Sequence, residues 1–515
     1  MSNSPATVLE LLEAGAPGAT ALSTPGGAPL TYQALRQLAR DTLSALNAKG
    51  IGRNDRVAIV LDNGPEMAAA FVSVAAGATA APLNPGYRAD EFEFYLTDLN
   101  ATLLLIEQDK ASPAIDIASK LGIPIARVAT TRERGSGAFT LMFPEGHTAS
   151  MPTRPGPASV DDIALVLHTS GTTSRPKIVP LAQRNVCASA RNVRQTLAFA
   201  ASDRGLNIMP LFHIHGLIAG ILAPLSAGGE VCCTTGFNAL RFFSWMADVN
   251  PTWYTAVPTM HQAILSRAAN NVDVIKANPL RFIRSSSSSM PPQVIKGLEA
   301  AFGAPVIESY GMTEAAHQMA SNPLPPDLRK PGTVGMHAGP EVCVIDLDGN
   351  PLPPGVAGEI AIRGENVMSG YENNPKANAE AFAKGWFRTG DQGVMDADGY
   401  LTITGRLKEI INRGGEKISP REVDEVLMDH PAVQQCVTFA VPHDKLGEDV
   451  AAAVVLREGA QASEKDLREF AAKRVADFKV PRKILIVAEI PKGATGKLQR
   501  IGLAQKLGLA PGKAS

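Results

Sequence analysis

The chain has 515 residues, enough for two or more domains of about 100–200 residues each. Hydrophobic residues make up 45% and charged residues 19%, as in a globular protein, and the formal net charge is −1. This charge excludes an overall field that would attract nucleic acid, and the five scattered cysteines form neither a CxxC pair nor a metal-ligand spacing. The composition therefore predicts a cytoplasmic protein with reduced thiols and no nucleic-acid partner.

The first fifteen residues lack a basic start followed by a long apolar run, so they do not predict a secretory signal. Residues 205–229 carry no charge and imitate a membrane span, but they include two prolines, several glycines, His213 and His215. Because imidazoles are costly at membrane depth, this stretch predicts a buried, pocket-lining segment and no membrane span.

Short apolar strands alternate with helical patterns in the first part of the chain. Residues 55–64 predict a strand and turn, 65–77 a buried helix, 78–85 the next strand, and 101–109 and 123–130 two more. This alternation is typical of parallel sheets covered by helices, in which ligands bind beyond the carboxyl ends of the strands. Residues 323–370 predict short strands and turns instead, because they are rich in glycine and proline.

A second domain is predicted to begin near Gly405. After it, residues 419–431 predict a helix with Ser419 as the N-cap, Pro420 at the first helical position and Glu422 completing a capping box. Pro431 is expected to end this helix.

A hydroxyl-rich loop follows a buried strand pattern, ALVL, at residues 164–167. It reads Thr-Ser-Gly-Thr-Thr-Ser-Arg-Pro-Lys, and the chain contains no Walker A motif. Hydroxyl donors on a flexible backbone beside a lysine are suited to binding phosphate, although an ordinary Ser/Thr-rich loop would have the same composition. The predicted phosphate-binding residues are Thr169, Ser170, Gly171, Thr172, Thr173, Ser174 and Lys177.

Four further stretches carry residues suited to nucleotide chemistry. Residues 308–317 place Tyr310, which could stack on a base, four positions before Glu314, whose carboxylate could hold Mg²⁺. Asp391 ends the sequence WFRTGD and could accept hydrogen bonds from a ribose, while Arg406 and Lys408 lie near the predicted domain junction. Lys497 lies in the sequence PKGATGK, which predicts a loop made flexible by its two glycines. Each of these signals is weak alone, since a Tyr is usually core and an Arg-Lys pair usually surface.

Together and in this order, the stretches resemble the adenylate-forming superfamily of acyl-CoA synthetases, luciferases and peptide-synthetase adenylation domains, over nearly the whole chain. One departure is Ser174, which stands where glycine is common in the superfamily. The resemblance implies an α/β fold: a large N-terminal domain, residues 1–404, of two parallel-sheet α/β subdomains plus a β-barrel-like subdomain. It also implies a hinge at 405–408 and a small mobile α+β C-terminal domain at 409–515.

The same resemblance implies an acid–thiol ligase that uses ATP and CoA as co-substrates with Mg²⁺ as cofactor, and a chain that is a monomer or a homodimer. Lys497 would catalyse adenylate formation, Lys408 would act at the hinge, and Glu314 would hold the metal. The residues implied at the adenylate are Tyr310, Gly311, Met312, Thr313, Asp391 and Arg406. Gly414 and Gly415 would approach CoA, although a simple hairpin turn would also explain them.

Within the superfamily, the likeness is closest to the subgroup that ligates oxalate to CoA; it is carried by LHTSGTTSRPK, PLFHIHGL and RFIRSSSSSM, among others. The acid would then be oxalate, and the expected substrate contacts are Ser287, His317, His215 and His213. Buried histidines without a ligand role would fit the pattern as well. The alternatives are a CoA ligase for malonate, a short fatty acid or a coumarate-like acid, and a non-catalytic nucleotide-binding relative.

Overall fold

The computed structural model of the chain describes residues 5–144, 151–169, 176–492 and 498–510. Its strands, in chain order, are β1 Thr20–Ser23, β2 Leu30–Thr31, β3 Arg56–Val60, β4 Thr79–Pro82, β5 Leu103–Glu107, β6 Ile125–Thr130, β7 Phe139–Met142, β8 Ile163–His168, β9 Ile178–Ala182, β10 Arg204–Asn207, β11 Glu230–Cys233, β12 Trp253–Ala256, β13 Phe282–Ser285, β14 Val306–Met312, β15 His317–Ser321, β16 Met336–His337, β17 Glu341–Ile345, β18 Gly358–Arg363, β19 Phe382–Ala383, β20 Trp386–Met395, β21 Leu401–Arg406, β22 Ile411–Arg413, β23 Glu416–Ile418, β24 Val433–His443, β25 Gly447–Leu456 and β26 Lys483–Ile486.

The α-helices are α1 Val8–Leu11, α2 Tyr32–Asn47, α3 Pro65–Ala75, α4 Ala89–Asp98, α5 Pro113–Lys120, α6 Gln183–Thr196, α7 Ala223–Leu225, α8 Phe242–Val249, α9 Pro258–Ala268, α10 Val272–Ala277, α11 Pro292–Phe302, α12 Pro375–Ala381, α13 Pro420–Met428, α14 Glu464–Ala472 and α15 Leu503–Lys506. Short 3₁₀ turns span Leu12–Ala14, Arg132–Arg134, Ala269–Asn271, Thr313–Ala315 and Asp477–Lys479, and a π-helix spans His215–Leu222.

Two large sheets with parallel centres form the N-terminal part. The first has the order β7-β6-β5-β3-β4-β8-β9, and the second β16-β15-β14-β13-β12-β10-β11-β1-β2. Helix α3 contacts β3 and β4 of the first sheet and β1 and β11 of the second. Its alanine-rich sequence is explained by this position, because small side chains let a helix pack closely on both sides. The prediction of a buried helix followed by a strand at 65–85 is confirmed.

The third sheet, β17-β18-β20-β19 with β21 paired to β20, is antiparallel and occupies the place of the predicted β-barrel-like part. The fourth sheet has the order β23-β22-β25-β24 with β26 parallel to β25, and α13 and α14 pack against it. It has a hydrophobic core of its own, which includes Ile411, Val423, Leu427, Val450 and Leu467. The α/β class with a smaller C-terminal α+β part is therefore as predicted.

Helix α13 begins where the sequence predicts, with Pro420 at its first position, but the predicted capping box is wrong. The Ser419 side chain makes no cap hydrogen bond. Its hydroxyl donates instead to the Thr404 carbonyl oxygen, and Glu422 pairs with Lys479 at 2.7 Å. The cap is lost because both side chains find partners outside their own helix.

The uncharged stretch 205–229 is buried as predicted, and its π-helix is buried at all eight positions. None of the helices in the described ranges has the length and apolarity that crossing a bilayer requires.

Candidate active site

The predicted phosphate loop leaves the first sheet between two antiparallel strands. β8 and β9 pair up to His168 and Ile178. The Thr169 amide then donates to the Lys177 carbonyl oxygen at 2.9 Å, and the Lys177 amide donates to Thr169 Oγ1 at 3.1 Å. These bonds close the stem of the loop at the strand ends. Five predicted phosphate contacts, Ser170, Gly171, Thr172, Thr173 and Ser174, lie outside the described residues.

Tyr310, Asp391 and Arg406 come together near the carboxyl end of β14. Asp391 and Arg406 are direct neighbours across β20 and β21. Arg406 Nε donates to Asp391 Oδ1 at 3.0 Å, and the Tyr310 hydroxyl donates to Asp391 Oδ2 at 2.5 Å. Burial raises the pKa of the Tyr310 phenol well above its usual value, so the phenol stays protonated and keeps donating. Both carboxylate oxygens of Asp391 thus have a partner within the chain.

A tight turn joins β14 to β15; Gly311 and Met312 are the last two residues of β14, and Thr313 begins the turn. A Cβ atom on Gly311 would lie 1.9 Å from the His317 carbonyl oxygen, so only glycine lets the two strands approach this closely. Ala316 and His317 have positive φ values of 46° and 105°. Such backbone strain in residues other than glycine is typical of functional sites. Here the two strained residues lie at the end of the turn and at the first position of β15, His317.

Glu314, also in this turn, lies between a tyrosine and two cations. Tyr371 donates its hydroxyl to Glu314 Oε1 at 2.8 Å, and Lys177 Nζ lies 4.3 Å from the centre of the Tyr371 ring. Burial raises the pKa of Glu314, and the Tyr371 hydrogen bond, Arg406 and Lys177 oppose that rise.

The donor set at Glu314 fits Mg²⁺ that arrives with phosphates. Across the described ranges, no group of three or more His, Cys, Asp or Glu side chains could hold a metal ion. Mg²⁺ is usually held by one or two carboxylates together with water and substrate phosphates, and it seldom occupies an all-protein cage. A single carboxylate near Lys177 matches that requirement.

A cluster of polar side chains is buried around Arg284, at the end of β13. Arg284 is 0% exposed, and so is His215, while His317 is 2% exposed. Arg284 Nη1 lies 3.2 Å from His215 Nε2, and Arg284 Nη2 lies 3.0 Å from His317 Nε2 and 3.3 Å from Gln318 Oε1. Burial lowers the pKa of Arg284 to about 9, which leaves it charged at neutral pH. No described carboxylate pairs with it, and within the described residues its Nε has no hydrogen-bond partner.

The contacts of Arg284 fix the protonation of both histidines. A guanidinium only donates, so His215 Nε2 and His317 Nε2 must accept, which makes both rings neutral with the proton on Nδ1. His215 Nδ1 then donates to Ser287 Oγ, 3.1 Å away, and the Thr255 hydroxyl lies 2.7 Å from His215 Nε2. The cluster therefore carries one net positive charge. Ser287, with φ +75°, is half-buried, so the cluster is closest to solvent at this residue.

Three of the four predicted acid-binding residues, Ser287, His215 and His317, thus lie in one cluster. His213 lies beside this cluster: its Nδ1 accepts from the His215 amide at 3.3 Å, and it lines a cavity of about 50 Å³ with Tyr87, His168 and Thr313. That volume has room for a few water molecules.

The remaining predicted residues belong to the C-terminal region. Lys408 is exposed just after β21. Gly414 and Gly415 form the two-residue turn between β22 and β23, with φ values of 61° and 101° that favour glycine at both positions. The hairpin interpretation of this pair is confirmed, and contact with CoA stays a prediction. Lys497 lies outside the described residues.

Sequence reasoning missed Arg284 and Tyr371. Arg284 does leave a signal, because it is a charge that ends the strand pattern LRFIR directly before the serine run. Tyr371 leaves none, since a tyrosine in a turn between Gly370 and Asn373 has no distinguishing pattern.

Comparison with known proteins agrees with this geometry. The AMP-binding enzyme family model matches residues 12–372, and the AMP-binding enzyme C-terminal domain model matches residues 422–497. The chain is 46% identical to an oxalate–CoA ligase of Arabidopsis thaliana, over 95% of this chain and 96% of that protein. It is 43% identical to an oxalate–CoA ligase of Saccharomyces cerevisiae, over 88% and 87%.

Among solved structures, ATP-bound MatB from Rhodopseudomonas palustris is similar, with a TM-score of 0.85 and 28% identity, covering 96% of this chain and 97% of that one. The apo form of the same protein gives a lower TM-score of 0.77 at the same identity, covering 97% and 98%. The chain therefore belongs to the AMP-binding enzyme family and is an AMP-forming acyl-CoA synthetase.

Proposed function

We propose that this enzyme is an oxalate–CoA ligase. In the first step an oxalate oxygen attacks the α-phosphorus of ATP, which forms oxalyl-AMP and releases pyrophosphate. In the second step the CoA thiol attacks the oxalyl carbonyl, which forms oxalyl-CoA, releases AMP and gives up the thiol proton. The names of the Arabidopsis and yeast relatives support oxalate as the acid.

The observation that carries the proposal is the buried charge of Arg284, which has no counterion among the residues that the structure describes. A buried cation without a counterion is strongly destabilising, so a site that retains one is suited to a ligand that supplies the negative charge. Oxalate has a second carboxylate, next to the reacting one, and this group can pair with Arg284 and accept from Ser287. A fatty acid would place only an uncharged alkyl chain beside the Arg284 guanidinium.

The acid and nucleotide residues lie at neighbouring strand ends. β13 and β14 are adjacent and parallel, with Ser285 beside Glu308, so Arg284 and Tyr310 leave the same edge of the second sheet. Ligands of open α/β sheets bind at this edge. An acid held by the Arg284 cluster would thus lie beside the adenylate expected at Tyr310, Gly311 and Met312.

The first step brings two anions together, and positive charge must offset their repulsion. We assign this role to Lys497 and to the loop from Thr169 to Lys177, with Asp391 and Arg406 at the ribose. Mg²⁺ on Glu314 would neutralise phosphate oxygens. Replacing Lys497 with Ala should abolish adenylation and leave thioester formation from preformed oxalyl-AMP largely intact, as measured by the two half-reactions separately.

The second step needs an open path for CoA. We propose that the chain divides into residues 1–404 and 409–515 and that the second part rotates about 405–408, with Lys408 at the pivot. Gly414 and Gly415 would then face the CoA channel. The separate core of the fourth sheet supports a C-terminal part that can move as one body.

The experiment that tests the acid assignment compares Arg284→Met with Arg281→Met. Arg281 lies three residues away and pairs with Asp203 at 3.0 Å, so it controls for loss of an arginine near β13. Pyrophosphate release should be measured for oxalate, malonate, glyoxylate and butyrate, each with and without CoA.

We expect the wild type to prefer oxalate, and Arg284→Met to lower kcat/KM for oxalate by about 30-fold or more, since losing one partner of a buried charge pair costs about 2 kcal/mol or more. Glyoxylate, which lacks the distal charge, should be affected far less. A wild type that rejects oxalate and uses a longer acid would overturn the proposal.

A further inference from the structure

Tyr371 contacts two groups that the adenylation step needs but that come from different parts of the fold. Its hydroxyl donates to Glu314 Oε1 at 2.8 Å, and its ring lies under Lys177 Nζ at 4.3 Å. Glu314 follows β14 of the second sheet, whereas Lys177 precedes β9 of the first. Tyr371 itself lies between β18 and α12, so three separate segments meet at one side chain.

Tyr371 is held in place independently of the groups it touches. The Asn378 side chain accepts from the Tyr371 amide at 2.7 Å and donates to the Tyr371 carbonyl oxygen at 2.8 Å. The next residue, Glu372, donates its amide to the Ile178 carbonyl oxygen at 3.2 Å, one position beyond Lys177. The ring is therefore fixed by α12 and β9 before any ligand arrives.

We propose that Tyr371 is a positioning residue for MgATP, which sets the orientation of the Glu314 carboxylate with its hydroxyl and the place of the Lys177 ammonium group with its ring. The inference rests on the proposed adenylation chemistry. A carboxylate that accepts one fixed hydrogen bond presents its remaining lone pairs in a fixed direction. A cation over an aromatic face keeps its charge while its long side chain loses freedom. The two effects are separable, since they use different atoms of one residue.

Two variants separate the effects. Tyr371→Phe keeps the ring and removes the hydroxyl, so it should disturb Glu314 and leave Lys177 in place. Tyr371→Leu removes both. We would measure ATP binding by calorimetry with and without Mg²⁺, the Mg²⁺ concentration that gives half-maximal ATP binding, and thioester formation from preformed acyl-AMP.

We expect Tyr371→Phe to raise the half-saturating Mg²⁺ concentration about 3- to 10-fold and to change ATP binding without Mg²⁺ by less than about twofold, as loss of one hydrogen bond to a charged group implies. Tyr371→Leu should in addition weaken ATP binding without Mg²⁺ by about threefold or more. Both variants should form thioester from preformed acyl-AMP at nearly the wild-type rate.

Tyr400→Phe is the matched control. Tyr400 also carries a lysine over its ring, Lys330 at 4.3 Å, and donates its hydroxyl to the Leu328 carbonyl oxygen at 2.5 Å, so its ring and its hydroxyl have partners other than Lys177 and Glu314. It should leave every nucleotide measurement unchanged.

The inference is overturned if Tyr371→Phe has wild-type Mg²⁺ dependence, or if it weakens ATP binding equally with and without Mg²⁺. Because the calorimetry contains no acid, these outcomes are distinct from failure of the oxalate assignment, which would appear only in pyrophosphate release.

Discussion

At the scale of single residues, Arg284 is the centre of the proposed acid site. Its guanidinium uses two different nitrogens to reach two histidines on separate elements, His215 of the π-helix and His317 of β15. This planar fork orients both rings and forces their Nε2 atoms to accept. Charge and geometry are therefore both required, and a cation of another shape should fail to replace it.

We predict that Arg284→Lys lowers kcat/KM for oxalate by about tenfold or more. The lysine side chain is shorter and ends in a compact ammonium group, which cannot donate to both histidines in the way the planar guanidinium does. Burial also lowers the pKa of a lysine, so the remaining activity should fall with rising pH sooner than in the wild type. The pH profile of kcat/KM checks both points. Activity and a pH profile equal to wild type would mean that a point charge is sufficient.

The residue scale is also where sequence reasoning was least complete. His215, His317 and Ser287 could be predicted because each stands in a recognisable stretch, and the structure brings the three together. Arg284 was missed because a strand pattern does not reveal what the charge will meet across the sheet. Tyr371 was missed because its partners, Glu314 and Lys177, lie 57 and 194 positions away in the chain.

At the scale of elements, the hairpin of β14 and β15 organises the site. It carries Tyr310 and Glu314 of the proposed nucleotide half-site and His317 of the proposed acid half-site. The strands approach so closely at Gly311 that the position has no space for a Cβ atom. One glycine therefore sets the spacing between the two half-sites.

We predict that Gly311→Ala disturbs both half-sites at once. Overpacking of this kind typically costs about 1–3 kcal/mol, and the clash here is with backbone, which cannot rotate away. The thermal midpoint should fall, and KM should rise for both ATP and oxalate. Gly18→Ala, where a Cβ atom would meet nothing within 4 Å, is the control and should behave as wild type. A rise in one KM alone would show that the hairpin does not couple the two half-sites.

Sequence patterns predicted helices and strands correctly where no group from another part of the fold competed for the side chains that define the pattern. Helix α3 and the strand after it follow from their hydrophobic run, and α13 begins at its proline. The capping box at Ser419 failed because a carbonyl from β21, at Thr404, competes for the same hydroxyl. No pattern within the helix contains that information, since the competing group belongs to another sheet.

At the scale of the whole molecule, the contact between the second sheet and the C-terminal helix α13 contains a buried carboxylate. Glu308 of β14 accepts from the Gly332 amide at 3.1 Å, and Arg421 of α13 donates to the Gly332 carbonyl oxygen at 3.5 Å and to the Ile403 carbonyl oxygen at 2.5 Å. Burial raises the pKa of Glu308 from 4.5 to about 7, and the Gly332 amide and Arg421 oppose the rise. The protonation of one side chain is thus linked to how the two parts of the chain meet.

The sign of this linkage follows from the raised pKa. Below about pH 4.5 the carboxyl is neutral in the folded and unfolded states alike, so it contributes no difference. Between about 4.5 and 7 the unfolded chain loses the proton while the folded chain retains it, and stability falls as the pH rises. Above about pH 7 the carboxyl is ionised in both states, and the loss of folding stability is complete. A pKa shift of this size corresponds to about 3 kcal/mol of unfolding free energy.

We therefore predict that Glu308→Gln, which keeps an acceptor for the Gly332 amide and cannot ionise, has the thermal midpoint of the wild type near pH 4 and a higher midpoint at pH 8. Thermal unfolding of both proteins from pH 4 to 8.5 measures the difference. Glu416→Gln, at an exposed position in β23, should follow the wild type at every pH. If Glu308→Gln were less stable than wild type at pH 8, attraction between the ionised carboxylate and Arg421 would outweigh its burial, and the contact would be an ion pair that holds α13 against the second sheet.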